Sequence, residues 1–448
     1  MPPLKIVFMH KIVSLIFCLT LLFPAVAQDT VKTYWNNNKL MSVGVEAKGL
    51  EQGHWIYYHN NGAKWTEGDY QDGKKIGVWR VWYEDGRKLA QEYNAQNGPF
   101  KSWYRSGQIE TKGQFADGKR TGEWTFYHPN GQLFKKVNYV KDSIDGHVVE
   151  YFDNGKKYFE GDYVNGALNG YACWWTRNGE KDMEGNSVND LQQGVWKFYN
   201  DNGTIGSTGN FDKGLQEGEW IYYYENGNVW KKGSFVAGKR EGVWKAWYED
   251  GRLQREGAFI HNLENGLWTA YYHNGKMQDQ GTFKDAQMNG EWNGWYEIGA
   301  KKYCNHYKNN KLNGLYTYYW EETGKMARQG NYKDNQKTGH WKEFAQNGKI
   351  LNEGNYSNDK KQGKWSFYNV YEKKIREQNF VNDVQDGPFT EYYDNGAKHF
   401  QGSFKGRLRD GKWSCWKPDG KLYYSVLFSN GKFVKELYIT DPNSEKPF

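Results

Sequence analysis

The stretch Gly218-Glu-Trp-Ile-Tyr-Tyr-Tyr-Glu-Asn-Gly227 decides the fold of this chain. Aromatic and β-branched residues favour a β-strand, and the closing Asn226-Gly227 pair is the strongest short-range signal for the two-residue turn of a β-hairpin. The following residues continue through Gly233 to Phe235 and supply a returning strand. The segment therefore predicts one antiparallel β-hairpin.

The same unit recurs along nearly the whole chain, mostly every 24 residues. With its first glycine as position 0, position 2 is Trp in eleven units, position 5 is aromatic in all sixteen, position 15 is usually Gly and position 17 is usually Tyr or Phe. A short unit repeated in phase predicts a repeat architecture and not several globular domains. We expect an all-β fold, an elongated array of about sixteen stacked antiparallel β-hairpins. The units begin at Gly53, Gly77, Gly98, Gly122, Gly146, Gly170, Gly194, Gly218, Gly242, Gly266, Gly290, Gly314, Gly339, Gly363, Gly387 and Gly411.

A two-residue turn at positions 8 and 9 fixes the strand register. It places the Trp of position 2 opposite the Gly of position 15, and the ring of position 17 opposite the Gly of position 0. We expect each of these glycines to lie beneath the ring opposite it, since aromatic cover repairs the weak pairing of a strand glycine. The same register places position 5 on the other face of the sheet from position 2.

Four segments divide the chain. Residues 1–27 have a positive start with Lys5 and Lys11, a short apolar run over 12–23 and Ala25-Val26-Ala27, which together predict a cleaved signal peptide. An uncleaved membrane anchor is the alternative, although the apolar run is short for spanning a bilayer. Residues 28–52 are a degenerate copy of the unit and are interpreted as an N-terminal cap repeat, 53–434 are the tandem repeats, and 435–448 are a C-terminal tail. We expect export to the periplasm, the outer surface or the extracellular space.

Units such as Gly242-Val-Trp-Lys-Ala-Trp-Tyr-Glu-Asp-Gly251 resemble MORN repeats in their bacterial variant. The resemblance implies stacked hairpins that act in scaffolding, membrane-surface association or protein interaction, without catalytic residues. Some bacterial proteins of this kind are labelled antitoxin-like, a role that a signal peptide argues against. The 24-residue length and the additional aromatic column depart from the shorter eukaryotic unit. Phosphoinositide binding is therefore not carried over.

Composition and motifs favour no catalytic chemistry. The net charge of +7, about +5 without residues 1–27, includes no run of five or six basic residues and does not indicate nucleic-acid binding. The ten His occupy unrelated positions without metal-ligand spacing. Glutamates recur at position 14 and are interpreted as charges that protect a sheet edge, at Glu67, Glu160, Glu184, Glu256, Glu353 and Glu377. We predict no enzyme activity, no cofactor and no metal.

Two functions remain, a protein-interaction scaffold of the cell envelope and a glycan-binding or cell-wall-binding module with an aromatic groove. Membrane-surface association is not indicated. Position 6 is mixed, with His59, Thr176 and Ala345 among its residues, which predicts that an aromatic residue there is dispensable for folding. Five successive units nevertheless carry a ring, and aromatic rings give large contact areas at low entropic cost. The candidate ligand surface is therefore Tyr224, Tyr248, Tyr272, Tyr296 and Trp320.

Overall fold

The computed structural model describes residues 29–440 and 446–448, so the predicted signal peptide lies outside the described residues. The described residues form strands and turns, without a helix, and the all-β prediction is confirmed. It follows that no helix of the described part could cross a membrane. The chain divides into a first unit that ends at Gly166 and a second unit, Ala167–Phe448.

The first unit contains thirteen strands, and each pairs in antiparallel fashion with a neighbour along the chain. The predicted cap segment contains the hairpin of β1 and β2. The strands are β1 (Asp29–Tyr34), β2 (Leu40–Ala47), β3 (Leu50–Tyr58), β4 (Lys64–Gln71), β5 (Lys74–Trp82), β6 (Leu89–Asn94), β7 (Gly98–Trp103), β8 (Ile109–Ala116), β9 (Lys119–Tyr127), β10 (Leu133–Val140), β11 (Ser143–Ile144), β12 (Gly146–Tyr151) and β13 (Lys157–Val164).

The second unit continues the pattern from β14 to β36, again with antiparallel pairing between chain neighbours. Its strands are β14 (Ala167–Trp175), β15 (Lys181–Val188), β16 (Leu191–Tyr199), β17 (Ile205–Asp212), β18 (Leu215–Tyr223), β19 (Val229–Val236), β20 (Lys239–Trp247), β21 (Leu253–Ile260), β22 (Leu263–Tyr271), β23 (Met277–Lys284), β24 (Gln287–Trp295), β25 (Lys301–Lys308), β26 (Lys311–Tyr319), β27 (Met326–Lys333), β28 (Gln336–Phe344), β29 (Ile350–Ser357), β30 (Lys360–Tyr368), β31 (Lys374–Val381), β32 (Val384–Tyr392), β33 (Lys398–Lys405), β34 (Leu408–Trp416), β35 (Leu422–Ser429) and β36 (Lys432–Ile439).

The turn at positions 8 and 9 differs from the two-residue turn predicted for it. In the hairpin of β18 and β19 the Tyr224 amide bonds the Asn228 carbonyl, and the Gly227 amide bonds the Tyr224 carbonyl. Three residues therefore form the loop, and Gly227 has the left-handed φ of 87° that such a loop requires. A bulge at position 12 then restores the predicted register, so that Trp220 pairs with Gly233 and Gly218 with Phe235. The two-residue turns lie instead between hairpins, as at Ala237-Gly238, where both φ angles are positive.

The Trp of position 2 covers a different glycine from the one predicted. Trp220 pairs with Gly233 of its own hairpin, but its ring lies on Gly209 of the preceding hairpin, where a Cβ would be 2.3 Å from the ring. The Trp220 Nε1 also donates to the Asn210 carbonyl at 3.0 Å. This contact was not predicted from the sequence because a strand pairs on both sides, and the turn specifies only one neighbour. The same contact occurs at eleven glycines, Gly44, Gly68, Gly113, Gly185, Gly209, Gly233, Gly257, Gly281, Gly330, Gly354 and Gly402.

The predicted ring cover of the position 0 glycine is wrong. A Cβ placed on Gly242 would meet no atom within 4 Å, and its φ is 67°. This glycine belongs to an irregularity between hairpins, where Ser234 pairs with Glu241 but Lys232 pairs with Lys245, so that β20 has two more residues than β19 between these pairs. Position 0 is therefore glycine because a bulge needs a left-handed backbone conformation there.

Positions 2, 4, 13, 15 and 17 form one face of the sheet, called here the Trp face. No second layer of residues covers it within the described part of the chain, yet Trp220 is only 2% exposed, because it lies flat on glycine and neighbouring rings flank it. The Phe211 ring meets it edge-on at 5.1 Å, and Phe198 and Tyr222 lie at 6.1 and 6.0 Å. Interlocking rings of a single layer thus make the core.

Positions 3, 5 and 14 form the opposite face, as predicted for position 5. The Glu of position 14 lies within the sheet and not at an edge, so its interpretation as edge protection is wrong. Glu184 is 9% exposed and accepts hydrogen bonds from Lys181, Tyr171 and Tyr199. Burial alone would raise the pKa of Glu184, but these hydrogen bonds outweigh it and lower that pKa to about 2.

The predicted C-terminal tail begins too early. Strand β36 includes residues 435–439, which the sequence analysis assigned to the tail, since Leu427 pairs with Lys435 and Tyr424 with Ile439. Phe448 also returns to the Trp face and packs 5.9 Å from the Trp413 ring. The Phe448 side chain is partly buried there, whereas in a frayed end of the chain it would be exposed to solvent.

The ring-on-glycine contact can be tested by Gly233→Ala. A Cβ there would lie 2.2 Å from the Trp244 ring, so we expect the free energy of unfolding to fall by about 1–3 kcal/mol. In a Trp244→Val background the same change should cost much less. A double-mutant cycle in urea, with hydrogen exchange over residues 229–247 as a local measure, gives the coupling. Equal costs in both backgrounds would contradict the contact.

The Glu184 network predicts a dependence of stability on pH. Because the pKa of Glu184 is lower when folded, its contribution is present above pH 4.5 and is lost as the pH falls towards about 2. Glu184→Gln should therefore reduce the free energy of unfolding by up to about 3 kcal/mol at pH 7 and much less near pH 2. Glu219→Gln is the control, since Glu219 is exposed and 3.9 Å from its lysine partner, Lys232. A difference between Glu184→Gln and the parent that stays constant with pH would refute the prediction.

Candidate binding recess on the Trp face of the second unit

Position 4 of the Trp face changes character in three successive hairpins. Elsewhere this position often carries a ring that flanks the Trp of position 2, as Phe198 and Tyr222 flank Trp220. The next three units have Ala246, Ala270 and Gly294 instead. Trp268 therefore has no ring at position 4 of its own hairpin or of the preceding one, and the face is recessed beside it.

Two adjoining recesses of about 470 and 420 Å³ occupy the place of the missing rings. They share Arg255, Glu264 and Trp268, and together they form one depression across β19 to β25, called here the trough. The first recess is also lined by Trp230, Lys231, Arg240, Trp244, Ala246 and Phe259, and the second by Ala270, Asp279, Phe283, Met288, Trp292 and Tyr303. The trough therefore combines an aromatic floor with charged walls.

One end of the trough is cationic. Lys231 Nζ lies 4.2 Å from the Trp230 ring and 4.5 Å from the Tyr222 ring, and the Arg240 guanidinium lies 4.0 Å from the Phe259 ring. Burial, and then the charge of Arg240, lower the pKa of Lys231. Among the described residues neither side chain forms an ion pair with a carboxylate. Two half-buried cations without a counter-ion favour an anionic group in this end of the trough.

The rest of the trough is internally paired. Arg255 lies 4.4 Å from the Trp268 ring and bonds Glu264 at 2.6 Å. The Tyr303 hydroxyl donates to Asp279, and its ring covers Gly294, so it fills part of the space above the third hairpin. Burial, and then this hydrogen bond, raise the pKa of Tyr303, which stays a neutral donor. The cationic end is therefore the part of the trough with unused binding capacity.

The predicted ligand surface at position 6 has a role in the fold. The Tyr224, Tyr248 and Tyr272 hydroxyls each donate to the position 5 carbonyl of the next hairpin at 2.8 Å. Tyr296 and Trp320 make the corresponding bond at 2.9 and 3.1 Å. All five rings are half-buried and none of them lines the trough.

Position 6 thus forms a hydrogen bond between neighbouring hairpins in these units, and its dispensability for folding stays a prediction. The same donor function occurs at other units that the sequence analysis passed over, through Trp35, Tyr83, Tyr104, His128 and Tyr393. Binding of a ligand by the five rings stays a prediction.

The trough was not predicted from the sequence, although the sequence contains a signal for it. Ala246, Ala270 and Gly294 are consecutive in a column where Tyr57, Phe126, Phe198, Tyr222 and Phe367 stand elsewhere. Other members of the column, such as Val81 and Glu150, hid the contrast. A run of small residues in one column indicates a continuous opening only when the column is known to lie on the buried face.

Several of the described histidines form surface pairs with carboxylates. His147 lies 2.8 Å from Asp162 and 3.2 Å from Glu160, and His54 lies 3.0 Å from Asp69. Within the described ranges there is no group of three potential ligands that could hold a metal ion.

The position 6 hydrogen bond can be tested by Tyr248→Phe. Loss of its bond to the Tyr271 carbonyl should lower the free energy of unfolding by about 1 kcal/mol and reduce hydrogen-exchange protection at the turn between β20 and β21. Tyr371→Phe is the control, because Tyr371 is 74% exposed. Unchanged hydrogen-exchange protection in Tyr248→Phe would show that the position 6 hydrogen bond does not stabilise the turn.

Comparisons with known proteins agree with the repeat seen in the fold. The family model described as a MORN repeat variant matches residues 96–117, 120–141, 144–165, 216–237, 240–261, 264–285, 337–358 and 385–405. No curated protein matches the chain.

Solved structures give only distant similarities. The crystal structure of TcdB2-TccC3-Cdc42 has a TM-score of 0.15 and 10% identity over 90% of this chain and 27% of that one. The Tc holotoxin pore of Photorhabdus luminescens has a TM-score of 0.14 and 10% identity over 91% of this chain and 29% of that one. The chain thus spans less than a third of these structures, and scores this low carry no weight for fold or function.

The eight matched segments fall on the hairpins described above. Together with the repeating fold, they identify the chain as a member of the MORN repeat variant family.

Proposed function

We propose that this protein is an exported, non-catalytic repeat scaffold that binds a partner protein through the trough. The observation that carries the proposal is the loss of the position 4 ring in three successive hairpins, beside the unpaired cations Lys231 and Arg240. A repeat protein presents a long regular surface, and a local departure from the repeat marks the place where that surface differs from a purely structural one.

A protein partner suits this trough better than a glycan does. Sugar rings stack on exposed aromatic faces, but Trp244 and Trp268 are each only 6% exposed. Arg255 also covers the Trp268 ring at 4.4 Å. Trp230 is 41% exposed, but the Lys231 ammonium lies 4.2 Å from its ring. The accessible space consists of the two recesses, which aromatic and charged side chains line together. Pockets of this kind accept protruding side chains, as at the centres of protein interfaces.

Export is supported by the sequence before residue 28. Lys5 and Lys11, the apolar run over 12–23 and Ala25-Val26-Ala27 have the order of a signal peptide. The trough would then meet partners in the cell envelope or outside the cell.

The decisive experiment fills the trough and compares two classes of ligand. Ala246→Phe should place a ring where Tyr222 has one in the preceding hairpin, and Glu343→Phe adds the same ring to the same column outside the trough. The parent, both variants and a blank are cross-linked to an envelope fraction and, separately, sedimented with insoluble cell-wall polysaccharide. We expect a protein captured by the parent and by Glu343→Phe but not by Ala246→Phe.

The captured protein is then purified, and its affinity for the three chains is measured directly. An affinity that falls about tenfold or more only in Ala246→Phe supports the proposal. Sedimentation of the parent with polysaccharide that is lost in Ala246→Phe would favour the glycan-binding alternative. Capture of the same protein by all three chains would place the interaction elsewhere on the repeat.

A further inference from the structure

In one hairpin that lacks an aromatic residue at position 4, an aromatic residue from another part of the chain takes its place. Position 4 of the unit that begins at Gly411 is the small Cys415, and Phe448 packs above this hairpin. The Phe448 ring lies 5.9 Å from Trp413, 5.3 Å from Phe400 and 6.0 Å from Tyr424. A side chain distant along the sequence from β34 therefore supplies the ring that the column lacks.

The first recess of the trough corresponds to the site of Phe448 at four positions of the repeat unit. Each has an arginine two residues before the position 0 glycine, Arg409 and Arg240, and a small residue at position 4, Cys415 and Ala246. Each also has the Trp of position 2 and the Phe of position 17, which are Trp413 with Phe428 and Trp244 with Phe259.

The two arginines also make similar contacts. The Arg409 guanidinium lies 5.1 Å from the Phe448 ring and 5.0 Å from Trp413, whereas Arg240 lies 4.0 Å from Phe259 and 5.9 Å from Trp244. The difference is that no side chain of the described residues takes the place of Phe448 above Ala246.

The residues at position 13, which line the sides, differ between the first recess and the site of Phe448. Phe448 is flanked by Phe400 and Tyr424, whereas the corresponding residues of the first recess are Lys231 and Arg255. Glu264 neutralises Arg255 at 2.6 Å, which leaves Lys231 and Arg240 without an acidic partner in the described part of the chain. An occupant of the first recess therefore needs an aromatic ring and a nearby negative charge.

We propose that the trough binds an aromatic side chain of the partner protein, carried in an acidic segment. This inference rests on the proposed function and adds the chemistry of the ligand. The ring lies over Ala246 between Trp244, Phe259 and Trp268, as Phe448 lies over Cys415. A carboxylate beside it pairs with Lys231 and Arg240. Ring burial supplies contact area, and the charge pair compensates for the burial of the two cations.

Short peptides test this chemistry without the partner. The purified protein is titrated by calorimetry with acetylated Asp-Glu-Phe-Glu-Asp, with the same peptide bearing Ala for Phe, and with Lys-Lys-Phe-Lys-Lys. We expect the acidic phenylalanine peptide to bind about tenfold or more tightly than either control. Equal binding of the alanine peptide would refute the role of the ring, and equal binding of the basic peptide that of the charge.

Protein variants locate the site. Ala246→Phe should abolish binding of the acidic phenylalanine peptide, and Glu343→Phe should not. Lys231→Gln should weaken binding severalfold, whereas Lys232→Gln should leave it unchanged, because Lys232 lies on the opposite face, 3.9 Å from Glu219. Equal effects of the two lysine changes would indicate non-specific attraction of an acidic peptide and overturn the proposal.

Phe448→Ala checks the equivalence of the two places independently. The vacated place retains Arg409 and Trp413 but lacks a lysine at position 13. We expect a second, weaker site for the acidic phenylalanine peptide, while the first site is unchanged. If Phe448→Ala creates no second site, the two sites are not equivalent, and the ligand inferred from their equivalence is wrong. If a partner protein is lost from Ala246→Phe but no peptide binds, only the ligand chemistry is wrong and the scaffold function stands.

Discussion

The contact of each position 2 tryptophan with a glycine of the preceding hairpin is the constraint on which the rest of the structure depends. The hairpin that supplies the ring and the hairpin that supplies the glycine are different, so neither can bury the tryptophan alone. The Trp Nε1 adds a hydrogen bond to the same neighbour, as from Trp244 to the Ser234 carbonyl at 3.1 Å. Stability is therefore a property of neighbouring pairs, as expected for a linear repeat.

The same contact between tryptophan and glycine explains several units that depart from the repeat pattern. Where position 15 is Val137, Asn305 or Gln378, position 2 of the next unit is Val148, Tyr316 or Phe389, and never Trp. The pairs that face each other within one hairpin show no such agreement, since Trp124 faces Val137 and Trp365 faces Gln378. A side chain at position 15 occupies the space in which the indole of the next hairpin would lie, so the tryptophan requires this glycine. The glycine does not require the tryptophan, since Gly161 precedes a unit with Ala172 at position 2.

The sequence predicted the fold class and the hairpin, because these depend on local turn signals and on a period of two along a strand. The internal register was also predicted correctly, although the turn was not, because the bulge at position 12 compensates for the third loop residue. It did not predict which glycine Trp220 covers, because a ring at the surface of a strand can lean towards either neighbour. The joint change of the position 15 glycine and the position 2 tryptophan of the next unit would have revealed the correct one. The trough was harder to predict, since Ala246 and Gly294 acquire meaning only when position 4 is known to flank the buried Trp.

Different positions of the repeat have different roles, which explains why a binding site can arise at position 4 without loss of the fold. Trp268 keeps its glycine, Gly257, and its edge-on partner, Phe259, at 5.2 Å, although both flanking rings of position 4 are absent. It is still only 6% exposed, compared with 2% for Trp220, which has those rings. The glycine beneath the ring, the edge-on Phe259 and the Arg255 guanidinium at 4.4 Å thus keep Trp268 buried without a ring at position 4. Because this column is free to change, small residues there can open the face, and charges from positions 13 and 22 can line the opening while the hairpins stay in register.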